Sequence, residues 1–132
     1  MSAADLVPIF DPEECKAPCQ YMGGTSRVAA EVWVRFGDVP NYVEPFFGSG
    51  AVLFKRPAEH DWRERVETVN DADGMVANFW RALKADPEEV AAAADWPVSE
   101  CDLHARHAWL QGQREDITRR LEGDPEFCDA KV

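Results

Sequence analysis

Tyr42-Val43-Glu44-Pro45-Phe46-Phe47-Gly48-Ser49-Gly50-Ala51-Val52-Leu53-Phe54 is the stretch on which the reading of this chain turns. It begins apolar and β-prone, passes one carboxylate, turns at Gly48-Ser49-Gly50 and continues as an apolar, helix-capable run. That order describes a strand, a tight glycine turn and a helix N-terminus. In an open α/β sheet such a turn lies at the carboxyl end of the first strand, where ligands bind. The first N–H groups of a helix have no partner within it and point toward that site. The helix is expected from Ser49 to about Arg56, with Pro57 as its stop.

Working outward, Tyr21-Met22-Gly23-Gly24-Thr25-Ser26-Arg27 contains a double glycine that marks a close turn. Thr25 or Ser26 can cap a helix from Arg27 to Phe36, whose Val28, Val32, Trp33 and Phe36 fall at helical spacing. On the other side, Ala58 to Arg65 is highly charged and reads as an exposed loop or fraying helix, with Lys55, Arg56, Arg63 and Arg65 on a solvated face. Val66 to Asp71 alternates and reads as a second strand. Met75 to Ala85 follows as an amphipathic helix with Met75, Val76, Phe79, Trp80 and Leu83 on one face. Asp86-Pro87 opens a helix to Ala94, which Trp96-Pro97 ends. This alternation of strand and helix implies an α/β fold with a parallel sheet.

The ends are different in character. Residues 1–20 form an arm in which Asp11-Pro12 could start a short helix. Leu103 to Leu121 reads as one long helix, in which Leu103, His107, Leu110, Arg114, Ile117 and Leu121 recur at steps of four and three. Asp124-Pro125-Glu126 then reads as the start of another helix, and a chain ending at Val132, two turns into it, suggests a fragment. His104 and His107 on the long helix are expected at the surface or in packing.

Composition narrows the function. The 132 residues are 45% hydrophobic and 30% charged, which suits a folded domain rather than a disordered chain. No apolar run approaches the roughly 18 residues that span a bilayer, and the acidic start lacks a secretory signal, so a cytoplasmic protein is expected. The net charge of −11 argues against a DNA-gripping surface on this chain, because phosphate contacts need Lys and Arg. Cys15, Cys19, Cys101 and Cys128 are irregularly spaced and read as reduced thiols; with His104 and His107 they lack the tight paired spacing of a zinc site, so no metal is expected.

Three features are spaced to build one pocket: Tyr21 to Arg27, Glu44 to Gly50, and Asn70-Asp71. Asp71 follows Gly50 by about 20 residues, the distance at which dinucleotide-binding folds place an acidic residue on ribose hydroxyls. Leu53 stands where a nicotinamide or flavin fingerprint has its third glycine, and Glu44 is awkward beside a pyrophosphate. A carboxylate there suits a cofactor with a sulfonium, an amino group and no phosphate, as in S-adenosylmethionine.

Tyr21-Met22-Gly23-Gly24, Val43-Glu44-Pro45-Phe46-Phe47-Gly48-Ser49-Gly50, and Asn70-Asp71 with Asn78 to Lys84 together resemble the amino-terminal portion of a D12-class N6-adenine-specific DNA methyltransferase, a family met in phages, prophages and restriction–modification systems. The resemblance implies a Rossmann-like methyltransferase fold with a partial parallel sheet, flanking helices and a helical C-terminal segment. It implies an N-terminal arm (1–20), an S-adenosylmethionine-binding portion (21–97) and the start of an inserted target-recognition segment (98–132). Tyr21, Gly23 and Gly24 would line the methionine end of the cofactor. Glu44, Phe46, Gly48 and Gly50 would form its loop, and Asp71 would hold its ribose. The family usually has Lys after the double glycine, where it meets the cofactor carboxylate; here Thr25 occupies that position and Arg27 could substitute for it. The family's Asp/Asn-Pro-Pro-Tyr/Phe motif, which grips the flipped adenine, has no counterpart, because the sequence contains no Pro-Pro. The resemblance therefore implies the cofactor-binding half of an enzyme acting on double-stranded DNA, inactive alone. The alternatives are a non-catalytic S-adenosylmethionine-binding module whose partner chain supplies the catalytic half, and a remnant that binds nothing.

Overall fold

The structure, a computed structural model, describes residues 16–57, 64–95 and 99–132. The Asp11-Pro12 helix start, most of the charged 58–65 stretch and the Trp96-Pro97 stop lie outside the described residues. The chain is organised as two compact units that divide between Asn70 and Asp71.

In the first unit, helix α1 spans Ala29–Phe36, beginning two residues later than the sequence suggests. Strand β1 covers Asn41–Glu44 and strand β2 covers Val66–Val69. The strands pair in parallel, with Asn41 opposite Val66 and Glu44 opposite Val69. Side chains alternate across a strand, so Tyr42 and Glu44 turn inward from β1 while Val43 stays exposed. Trp33 of α1 forms the centre of the core with Ala29, Tyr42 and Val52. Its indole N–H donates to the Val52 carbonyl at 2.7 Å, and its ring lies 4.8 Å from that of Tyr42. A single bond thereby ties α1 to the segment that follows the glycine turn.

That segment departs from expectation. In place of a helix from Ser49 to Arg56 there is a series of turns ending in one short 3-10 helix, Leu53–Lys55. Gly50 has φ of +71°, outside the right-handed helical region, so regular helix cannot begin at Ser49. Pro57 then leaves room for little more than one turn. Arg56 and Arg65 also differ from the solvated face expected of them. Arg56 is only 4% exposed. Its guanidinium bonds Glu67 at 2.9 Å, Asp38 at 3.4 Å and the Val39 carbonyl, and it lies over the Trp33 ring. Arg65 reaches the other oxygen of Asp38 and the Pro57 carbonyl, each at 3.0 Å. Two guanidiniums shared between two carboxylates compensate charges that burial would otherwise make costly.

The second unit is helical: α2 is Gly74–Ala85, α3 is Pro87–Ala94 and α4 is Glu100–Gly123. Each has a side-chain cap at its start, Asp73 on the Met75 N–H, Asp86 on the Glu89 N–H and Ser99 on the Asp102 N–H. Helix α2 packs against both α3 and α4. The face of α2 that is buried most deeply carries Asn78 and Ala82, while Phe79 and Trp80 remain half-buried. On α4 the regular four-and-three seam is buried only at Ile117 and Leu121; Leu103 is exposed. His104 and His107 are exposed.

Residues 124–132 form turns rather than the helix suggested by Asp124-Pro125-Glu126. The Glu126 N–H bonds the Asp124 carboxylate, the local competitor to a helical bond. Arg81 of α2 donates to the carbonyls of Leu121, Asp124 and Phe127. Asn78, fully buried, exchanges two 2.8 Å bonds with the Asp129 backbone. Side chains of α2 thus satisfy the backbone groups that a further helix would have paired internally.

Candidate functional site

The glycine turn is held from below and from the side. Below it, Glu44 at the end of β1 is only 8% exposed. Its carboxylate accepts the Tyr42 hydroxyl at 2.9 Å and the backbone N–H of Leu53. One buried side chain therefore joins the end of the strand to the short helix beyond the turn. Burial pushes the Glu44 carboxyl above the usual carboxylate range, while the Tyr42 and Leu53 bonds oppose that shift. Burial, then the bond to Glu44, raises the Tyr42 hydroxyl in turn. Beside the turn, Asn70 after β2 closes the frame. Its N–H donates to the Glu44 carbonyl and its carbonyl accepts the Phe47 N–H, both at 2.9 Å, and its amide reaches the Pro45 carbonyl at 3.2 Å.

The two glycines of the turn are tightly enclosed. A Cβ on Gly48, φ +50°, would lie 3.1 Å from the ring of Tyr21. A Cβ on Gly50 would lie 2.8 Å from both the Phe47 and Phe54 rings. The first contact is informative, because Tyr21 belongs to the double-glycine block near the N-terminus. That block turns back on itself through the Gly24 N–H to the Tyr21 carbonyl, 2.9 Å, and lays the Tyr21 ring against the second block.

Between the two blocks opens a cleft of about 840 Å³. Tyr21, Gly23, Gly24 and Arg27 line it on one side, and Ser49, Ala51, Phe54 and Lys55 on the other. Thr25, Glu44, Phe46, Gly48 and Gly50 are outside its lining. Thr25 is exposed and its carbonyl accepts the Val28 N–H in the turn before α1. Phe46 is 83% exposed. Asp71 opens the second unit, where its carboxylate accepts the Asp73 N–H at 2.9 Å. Thus the structure brings the Tyr21 block and the glycine turn together in the first unit.

The sequence model of the D12 class N6 adenine-specific DNA methyltransferases matches residues 21–102. The chain belongs to that family. Neither a curated protein nor a solved structure matches it. In this D12-class chain the match begins at Tyr21, the residue that closes over Gly48, and runs through both strands, α2 and α3 into the first turn of α4.

The sequence reading names neither Tyr42 nor Lys16 for the site, and places Lys55 only on a solvated face. A signal for Tyr42 existed, since residues two apart on a strand share a face and Tyr42 therefore stands beside Glu44. Lys16 and Lys55 gave none, because only folding sets both on the cleft. Among the described residues no group of three His, Cys, Asp or Glu side chains could hold a metal ion. No described helix is long and apolar enough to cross a membrane.

Proposed function

We propose that this chain is the S-adenosylmethionine-binding portion of an adenine-N6 DNA methyltransferase, with the β1–β2 pair and its glycine turn as part of a Rossmann-like sheet. The observation that carries the reading is the seating of Tyr21 on Gly48, which makes one cleft from the two sequence blocks the family resemblance singles out. The residues fit such a cofactor. The cleft has the size of a small-molecule site. Its walls combine aromatic rings, Tyr21 and Phe54, with the hydroxyls of Ser26 and Ser49. Tyr21, Gly23, Gly24 and Arg27 would receive the methionine end, and Glu44 would answer its amino group directly or through water. Phe46, Gly48 and Gly50 would shape the loop, and Asp71 would hold the ribose. Thr25 would mark the edge of the double-glycine turn. When bound, the cofactor supplies the methyl group that ends on adenine N6; the chain's own share is to bind and orient it.

DNA, double-stranded, is the substrate on this reading, and the residues that grip the extruded adenine come from outside residues 1–132, since no Pro-Pro motif occurs here. The cytoplasm of a bacterial cell is where such an enzyme would act. Calorimetric titration of the purified chain with S-adenosylmethionine tests the proposal. Saturable binding that weakens in Asp71→Ala supports it, and the absence of binding overturns it. The same chain is expected to transfer no methyl group to duplex DNA by itself, and detectable transfer would refute that part.

A further inference from the structure

The long helix of the second unit carries a seam that its own chain uses only in part. Ile117 and Leu121 of α4 are buried. The contacts with α2 described above fall in the same half, at Arg114, Thr118 and Leu121. Toward the N-terminus the seam continues through Leu110, His107, Leu103 and Glu100, and there it meets water. Leu110 is half-buried, Leu103 is 61% exposed, His107 is exposed and the Glu100 side chain is almost fully so. Each residue of a helix turns the chain by about 100°, which keeps Glu100, Leu103, His107, Leu110 and Arg114 on one stripe about 80° wide. One exposed leucine is ordinary. The order of the residues around this one is not.

The stripe is complementary to itself. From its N-terminus it runs acid, leucine, histidine, leucine, base. Turned end for end about His107, it matches its own copy. Glu100 and Arg114 each stand seven residues from His107. Leu103 and Leu110 stand four and three away, so each falls within one residue, about 1.5 Å, of a place opposite the other. A two-fold axis produces this relation, because such a contact sets residue i on residue j and j on i. We propose that the N-terminal half of α4 is a self-association surface, on which a second copy of this chain packs its own α4 antiparallel about a two-fold axis at His107. Each Glu100 then meets Arg114 of the other copy, and each Leu103 shares an apolar contact with Leu110. Arg114 can form that pair because its bond to Asp73 leaves the side chain half-exposed. The Glu100 carboxylate stands 3.9 Å from His104, too far for a hydrogen bond, and is open to the new pair. A parallel copy would set Glu100 against Glu100 and Arg114 against Arg114, which like charges disfavour. The free half of α4 is about 20 Å long, so the contact is small, and two chains of net charge −11 repel at long range. The dimer is accordingly weak and populated at high chain concentration. The proposal does not depend on the cofactor reading, since α4 lies wholly in the second unit.

Sedimentation equilibrium of the purified chain, from micromolar to millimolar concentration at about 0.15 M salt, tests this. A monomer–dimer equilibrium is expected. Leu103→Gln should weaken it about tenfold, because the change removes an apolar contact from both copies at once. Glu100→Arg should weaken it by about fivefold or more, through two reciprocal repulsions with Arg114. Arg119→Gln, on the far side of the helix, should leave it unchanged. Leu103 and Glu100 are exposed, so the circular dichroism of both variants at monomeric concentrations should match wild type. His107→Leu, which sets two apolar side chains on the axis, should tighten the dimer without producing larger species. A chain that stays monomeric throughout overturns the proposal. So does a dimer that Leu103→Gln leaves unchanged, because its interface lies on another surface. If Leu103→Gln weakens the dimer but Glu100→Arg leaves it unchanged or tightens it, the copies are not antiparallel about His107 and the proposal fails. None of these outcomes bears on the cofactor reading.

Discussion

Gly50 shows how much of the turn is decided by single atoms. Its φ of +71° is a conformation that side-chain-bearing residues rarely adopt, and a Cβ there would meet two aromatic rings at 2.8 Å. Gly50→Ala should therefore destabilise the chain by about 1–3 kcal/mol, read as a lower urea midpoint with an unchanged slope. Glu44 makes a second prediction, about pH. Burial raises its carboxyl in the folded chain, so the folded form keeps that proton to higher pH than the unfolded chain does. The stability this contributes is complete below the unfolded carboxylate value and is lost as pH rises through the raised folded one. Glu44→Gln does not titrate, so it should gain on wild type as pH is raised from about 4 to about 7. Denaturant titrations of both proteins across that range check this, and a constant gap between them would contradict it.

At the scale of elements, the start of α2 lies close against α4. A Cβ on Gly74 would overlap the Thr118 hydroxyl, which itself donates to the Arg114 carbonyl at 2.9 Å. Arg114 in turn bonds Asp73, the cap of α2, at 2.9 Å. Gly74→Ala should cost about 1–3 kcal/mol by forcing the helices apart, and Thr118→Ala in the same chain should recover part of that loss. Thermal unfolding of the two single variants and the double variant measures the coupling; purely additive effects would argue against the close approach. The elements themselves were legible to different degrees. Asp86-Pro87 is a local signal, and the helix after it begins where the sequence places it; α2 begins one residue before the expected Met75, and α4 begins at Glu100, three residues before the expected Leu103, with Ser99 as its cap. The helix after Gly50 and the one after Asp124 were misread, because in both cases the backbone bonds elsewhere, to turns in the first and to Arg81 and Asn78 in the second.

For the molecule as a whole, the excess of acidic residues sets the electrostatic balance. At neutral pH a net charge of −11 opposes compaction, while the pairs Arg56–Glu67 and Arg65–Asp38, partly shielded from water, are screened less by salt. Raising the salt from about 0.01 M to about 0.15 M shortens the screening length from roughly 30 Å to roughly 8 Å and should raise the unfolding temperature. A fall would mean that the ion pairs outweigh the general repulsion. The ordered blocks around Tyr21, Glu44 to Gly50 and Asn70-Asp71 were enough to identify the family, and the alternation of strand and helix was enough to expect a parallel sheet, because each block and each element is itself a pattern of neighbouring residues. Only the tertiary structure decided that Tyr21 closes over Gly48, that Arg56 is buried, and that Lys16 and Lys55 share a cleft. The partners in those contacts are separated by long stretches of chain, so their meeting depends on packing around Trp33 and on where buried charges find compensation, neither of which a local pattern records.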